Sequence, residues 1–371
     1  STLEPLPGMA ERWEMTPDGL VYTFHLRRAQ WSDGHPVTAG DFLYAWRRVL
    51  NPVTAARYAG QLYYLRNAEA YNKKRITDPA QVGVAAPDDS TLIVTLEHPT
   101  PYFLDLLSFY TFMPVPRWCI EKFGDRWSRP GNVVGNGPFL LTDWKPANYF
   151  KFRKNPGYWD AAHVKLDGVV AYSIDDLNTS LNMYKAGMTD WNPSGNLPAQ
   201  FIPYVRDKAD YRSAPYLGSY FYSFNVTDPT LRNVWLRRAL AWSIDRESIT
   251  RDLFKGSRLP LGTITPLGTP GYTAPKPIGL DLAYARECLA KAGYPGGKGC
   301  PKLSILFNTS EDHRKIAEVL QAQWKVNLGA SYSSPLRFSL GADVQYASPQ
   351  VWRLRTFDAS GQLIIQEEPI P

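Results

Sequence analysis

Apolar and polar positions along the 371-residue chain repeat with a period of two in some segments and of three to four in others. Tyr22, Phe24 and Leu26 alternate with Thr23, His25 and Arg27, which predicts a strand with one buried face. Met15-Thr16-Pro17-Asp18-Gly19 carries the Pro, Asp and Gly of a tight turn, so residues 10–28 read as a hairpin. Trp31-Ser32-Asp33-Gly34 is a second turn. Thr38 then caps a helix through Phe42, Trp46, Val49 and Leu50, with Asp41 at the acidic position of a capping box. Leu92, Val94 and Leu96 alternate as a further strand.

Residues 101–127 read as apolar and helical, interrupted by Pro114 and Pro116. Gly135-Asn136-Gly137-Pro138 turns into a strand over Phe139–Trp144, which a strand over Tyr149–Arg153 should pair, with another over Val169–Ser173. Helices are expected over Asp176–Gly187, after Asp228-Pro229 with Leu236, Leu240 and Ile244 on one face, over Asp281–Ala292, and over Asp312–Leu328. Tyr220 and Tyr222 are placed on a strand, Pro260–Pro277 in a loop, and Leu303–Phe307 on a short buried strand. Val351–Ile365 should form a hairpin about Asp358-Ala359-Ser360-Gly361. Strands and helices mixed in this order predict an α/β or α+β class with several sheets.

Composition narrows the function. The net charge is +6, from 41 Lys and Arg against 35 Asp and Glu, spread along the chain without a basic block, so nucleic acid is not expected as a partner. Aromatic residues make up 13% of the chain, which suits wide binding clefts as well as cores. The 3 cysteines, Cys119, Cys288 and Cys300, form no metal-binding spacing. The glycine-rich turn before Cys300 permits one Cys288–Cys300 bridge, in an oxidising compartment. Five scattered histidines, no nucleophile elbow and no phosphate-binding loop argue against an enzyme. His313 stands apart because it opens a helix directly after a predicted strand, a frequent place for ligand contacts.

The motifs Pro7-Gly8-Met9-Ala10-Glu11-Arg12-Trp13-Glu14, Tyr22-Thr23-Phe24-His25-Leu26-Arg27, Trp31-Ser32-Asp33-Gly34, Gly135-Asn136-Gly137-Pro138-Phe139 and Arg153-Lys154-Asn155-Pro156-Gly157-Tyr158-Trp159-Asp160 occur in this order, followed by Arg237-Arg238-Ala239-Leu240 and Asn308 through His313. In these the chain resembles the family 5 extracellular solute-binding proteins, in particular those serving bacterial oligopeptide ABC importers, over residues 5–329. The resemblance implies a periplasmic-binding-protein-like type II (cluster C) α/β fold of two lobes with an extra small domain, incomplete in this chain. It assigns residues 1–130 to the small domain, 131–228 to the rest of the first lobe and 229–329 to the start of the second, and leaves 330–371 without a family match.

The same resemblance implies capture of oligopeptides between the lobes and delivery to a membrane permease. The protein would be a monomer without cofactor or metal, periplasmic or lipid-anchored on the outer face of the membrane. Position by position, the ligand-contacting residues implied are Tyr58, Asn196, Tyr220, Lys255 and His313, although strict spacing puts Phe254 where Lys255 is named. Family sequence is expected before Pro7 and after Gly329, and no aspartate here is assigned to the peptide amino group. The same fold also serves dipeptide, nickel and sugar binding, and a non-transport role, as a signalling-peptide sensor or a chaperone-like binder, uses the same cleft. The competing class is a peptidase-like hydrolase using His313 with Ser310.

Overall fold

The computed structural model describes residues 4–328, apart from 194, 196, 215, 270 and 309, together with the backbone of two strands over 351–357 and 363–369. The chain divides into two compact units that meet in sequence between Asp175 and Asp176. Among the described residues, no helix is long and apolar enough to cross a membrane.

The first unit opens with β1 (Ala10–Met15) and β2 (Val21–Leu26), joined by the predicted turn. Asp18 accepts hydrogen bonds from the Thr16 hydroxyl at 2.6 Å and the Leu20 N–H at 3.0 Å, which hold its carboxyl below the usual range. Gly19 closes the turn in the left-handed region at φ 69°. β2 alternates half-buried and buried residues as its period of two requires. α1 (Ala39–Leu50) follows. It lies in one apolar core with β2, β3 (Val84–Ala85) and β4 (Thr91–Thr95), built on Tyr22, Phe24, Trp46, Leu50, Val94 and Phe103. The four strands are antiparallel in the order β1-β2-β4-β3. Gly83 lets the strands close up there, since a Cβ on it would lie 2.2 Å from the Thr95 carbonyl oxygen.

Asp41 holds the start of α1 in place. Its carboxylate, 6% exposed, accepts from the Thr38 N–H at 2.9 Å and from the Trp31 indole N–H at 3.1 Å. The apolar stretch 101–127 breaks into a single turn over Phe103–Leu106, a 3-10 turn over Tyr110–Phe112, and α2 (Arg117–Phe123), which starts after Pro116. A second antiparallel sheet follows, with β5 (Phe139–Lys145), β6 (Tyr149–Lys154) and β7 (Gly168–Tyr172) in sequence order.

In the second unit, α3 (Leu177–Lys185) is capped by Asp176, whose carboxylate accepts from the Thr179 N–H. α4 (Val234–Trp242) is capped by Asn233 and α5 (Leu282–Lys291) by Asp281, each accepting from backbone N–H groups of the first turn. The two helices share a core of Leu236, Ala239, Leu240, Ala285, Cys288 and Leu289. α6 (Glu311–Leu328) completes this part. β8 (Val351–Phe357) and β9 (Leu363–Pro369) pair antiparallel as the predicted hairpin, whose turn residues lie outside those described.

Two expectations are overturned, and a bridge left open by the sequence is not formed. Leu303–Phe307 is not a buried strand: it carries one bridge at Phe307, and Leu306 is exposed, because a strand exists only where a neighbour completes its ladder. Residues 216–225, including Tyr220 and Tyr222, likewise run as irregular chain. Cys288 and Cys300 are both free. Cys288 is buried as a small apolar side chain of α5. Partial burial pushes the Cys300 thiol up.

Asp41→Ala would leave the Trp31 and Thr38 donors without their acceptor. It should lower unfolding free energy by about 1–3 kcal/mol, read from urea titration of the chain.

Candidate functional site

The residues of interest in the second unit are positioned by the way α6 is fastened. Its C-terminal half meets the end of α4 through side chains that fill backbone positions the helix leaves open. The Trp324 indole donates to the Leu240 carbonyl at 3.1 Å and the Asn327 amide to the Ser243 carbonyl at 2.8 Å. Gln323 accepts from the Asp245 N–H at 2.9 Å and donates to the Asp245 carbonyl at 3.2 Å. The N-terminal half of α6 packs Ile316 and Leu320 against Ile249 and Phe254, with Tyr222 alongside.

That anchoring brings His313 under Tyr220. The two rings stack at 4.5 Å between centroids and 28° between planes, and Tyr222 meets Tyr220 edge-on at 5.5 Å. The Tyr222 hydroxyl donates to the His313 carbonyl at 3.5 Å. His313 Nδ1 lies 2.7 Å from Asn308 Oδ1, which also accepts from the Ser310 N–H at 3.0 Å. An amide oxygen can only accept, so Nδ1 carries the hydrogen and Nε2 is the free acceptor of the neutral ring.

A π-turn over Ile249–Leu253 leads into Phe254, 2% exposed, and Lys255 and Gly256 follow at φ 51° and 76°. This left-handed pair reverses the chain and returns Arg258 over the Phe254 ring, 3.7 Å from its centroid, where it also pairs with Asp312. Burial first, and then the Arg258 cation, hold the His313 imidazole below its ordinary value, with Asp312 opposing. Burial raises both tyrosines, and the hydrogen bond with Tyr220 raises Tyr222 further. The cluster therefore offers a neutral imidazole acceptor, a guanidinium and a broad aromatic face. Together these suit a ligand with both polar and flat apolar parts.

Of the residues expected from sequence, Tyr220 and His313 come together. Lys255 is exposed next to buried Phe254. Asn196 lies outside the described residues. Tyr58 belongs to the first unit, 39% exposed, where its ring meets Phe109 at 5.3 Å and Tyr110 at 5.7 Å edge-on. Arg258 and Asn308 are not among the site residues that the sequence implies. The signal available for Arg258 was an aromatic residue four positions before it, a weak pattern without the chain reversal.

A sequence model of the bacterial extracellular solute-binding proteins, family 5 Middle, matches residues 4–340. The chain belongs to this family. It is 38% identical over 340 residues to the oligopeptide-binding protein OppA of Bacillus subtilis, covering 88% of this chain. It is 39% identical over 339 residues to the probable deoxycholate-binding periplasmic protein YgiS of Escherichia coli, covering 87%. Among solved structures, Haemophilus influenzae OppA in complex with RPPGFSPFR superposes with a TM-score of 0.77 at 35% identity over 87% of this chain. The chain spans 62% of the length of each of the two curated relatives and 65% of the solved chain.

Two outcomes follow from the electrostatics. Arg258→Met removes a cation and frees Asp312, so the His313 pKa should rise, as followed by NMR titration of its ring protons; a fall would contradict the assigned cause. Because folding lowers this pKa below 6.5, the unfolded chain binds more protons. The contribution of His313 to stability is therefore complete above about pH 6.5 and is lost as pH falls through the folded value. Thermal midpoints of His313→Gln should depend less on pH in that window.

Proposed function

We propose that this protein binds oligopeptides as the extracytoplasmic receptor of an ABC importer and passes them to a membrane permease. The observation that carries this reading is the cluster of Tyr220, His313 and Arg258, in a chain closely similar to a relative that holds a nine-residue peptide. An imidazole and a guanidinium beside an aromatic face suit the carboxyl end and side chains of a peptide, with ordered water filling the remainder. Tyr58, Lys255 and Asn196 belong to the same proposal as further ligand contacts. Placement outside the cytoplasmic membrane, in the periplasm or on a lipid anchor, is part of the same proposal, and the periplasmic relatives support it.

The finer partition is part of this reading. The core of Tyr22, Trp46 and Phe103 draws on residues before Pro116, which supports a small domain over 1–130. We further infer that no bond chemistry takes place. Membership of a family of solute-binding proteins supports this.

A second reading, a bile-acid receptor, is favoured by the similarity to the probable deoxycholate-binding relative. A sterol carboxylate would use the same cation and stack its flat rings on the tyrosines. Thermal unfolding separates the two. A pool of three- to five-residue peptides at a hundredfold excess over Kd should stabilise the chain by about 2.7 kcal/mol, and deoxycholate should not. The reverse outcome would favour the sterol. In the peptide case, Tyr220→Ala and His313→Ala should each weaken binding about tenfold by calorimetric titration. Unchanged peptide masses after prolonged incubation would exclude hydrolysis.

A further inference from the structure

The two ring nitrogens of His313 have separate roles. Asn308 Oδ1 accepts from the Ser310 N–H at 3.0 Å, which identifies that atom as the oxygen, and it lies 2.7 Å from His313 Nδ1. Nδ1 therefore donates in either charge state of the ring, and only Nε2 is left to change. Burial and the Arg258 cation hold the ring neutral, with Asp312 opposing. Tyr220 and Tyr222, the titratable groups of the irregular chain alongside, stay uncharged because burial raises both. The other charges of the first two turns of α6 are matched among themselves, Lys315 with Glu311 at 2.6 Å and Arg314 with Glu318 at 3.9 Å. In the π-turn Arg251 pairs with Asp252 at 2.8 Å, and Lys255 beyond it is exposed.

A ring in this state cannot accept a carboxylate as it stands. Nε2 offers a lone pair, a carboxylate offers only lone pairs, and the two repel until a hydrogen lies between them. We propose that Asn308 is a positioning residue that keeps the His313 hydrogen on Nδ1, so that a peptide whose carboxyl end reaches Nε2 draws one proton from solvent onto that nitrogen as it binds. The proton adds to the Nε2 lone pair and no bond in the peptide is broken. The ring becomes a cation that donates from both nitrogens, Nδ1 to Asn308 and Nε2 to the carboxylate. The Tyr220 ring, stacked 4.5 Å away, favours that cation through its π-face. The step presupposes the peptide-binding reading and adds to it the charge of His313 before and after the ligand arrives.

Calorimetric titration in buffers of different ionisation heat counts the protons taken up. At about pH 6.5, a pool of three- to five-residue peptides with free carboxyl ends should take up about half to one proton per protein more than the same pool amidated at its carboxyl ends. The peptide amino groups are common to both pools and cancel. As pH falls from about 8 to about 6, affinity for the free acids should gain on that for the amides by up to about tenfold per pH unit. Nitrogen NMR of the His313 ring should report a hydrogen on Nδ1 alone in the free protein and on both nitrogens in the complex. His313→Gln, whose amide donates without titrating, should bind the free acids without the extra proton. Asn308→Asp sets a carboxylate on Nδ1–H, charges the ring before the peptide arrives, and should remove the uptake at the same pH. If either variant fails to fold, the ring signals of the unaltered protein decide. A ring still neutral in the complex, or equal proton counts for the two pools, overturns the proposal and leaves the peptide reading standing. Binding of neither pool overturns both.

Discussion

The second unit depends on how the carbonyl groups at the end of α4 are satisfied. A helix leaves its last carbonyls without intrahelical donors, and burying them unpaired is costly. Here the Leu240 carbonyl receives the Trp324 indole, that of Ala241 receives Arg246, that of Trp242 the Asp281 N–H, and that of Ser243 the Asn327 amide. The four donors come from three parts of the fold: the far end of α6, the turn after α4, and the N-cap of α5. One set of backbone requirements thus fixes three helices at once. His313, at the other end of α6, inherits its place from that anchoring.

The electrostatic character of the cluster follows from its packing. Phe254 is buried because a π-turn carries it into the apolar core with Ile316 and Leu320, and the positive φ at Lys255 and Gly256 folds Arg258 back onto its ring. The guanidinium is then close enough to disfavour a charged His313, and Asp312 only partly offsets it. The neutral imidazole, the stacked Tyr220 and the cation are consequences of a single chain reversal. In the first unit a comparable economy is found at Asp41, whose carboxylate ties a loop indole and a helix start together.

The local elements were legible in the sequence where local chemistry decides them. The β1–β2 turn, the capping box of α1, the starts of α3 and α5 and the pairing of β5 with β6 each rest on residues within a few positions of one another. Leu303–Phe307 and the chain around Tyr220 read as strands because their composition is that of strands, yet a ladder needs a neighbour that composition does not supply. The cysteine pair read as a permitted bridge for the same reason: spacing permits contact, but the helix face decides that Cys288 points into the core.

The sequence by itself determined the family, through motifs spread in order over most of the chain, and with it the peptide-binding expectation and the naming of Tyr220 and His313. Tertiary structure alone decided that these two stack and that Arg258 and Asn308 join them. It also separated Phe254 and Lys255, neighbours in sequence, into core and solvent. The physical reason is range. Turns, caps and alternation are set by interactions a few residues long, whereas Tyr220, Arg258 and His313 meet only after α6 has been fastened to α4.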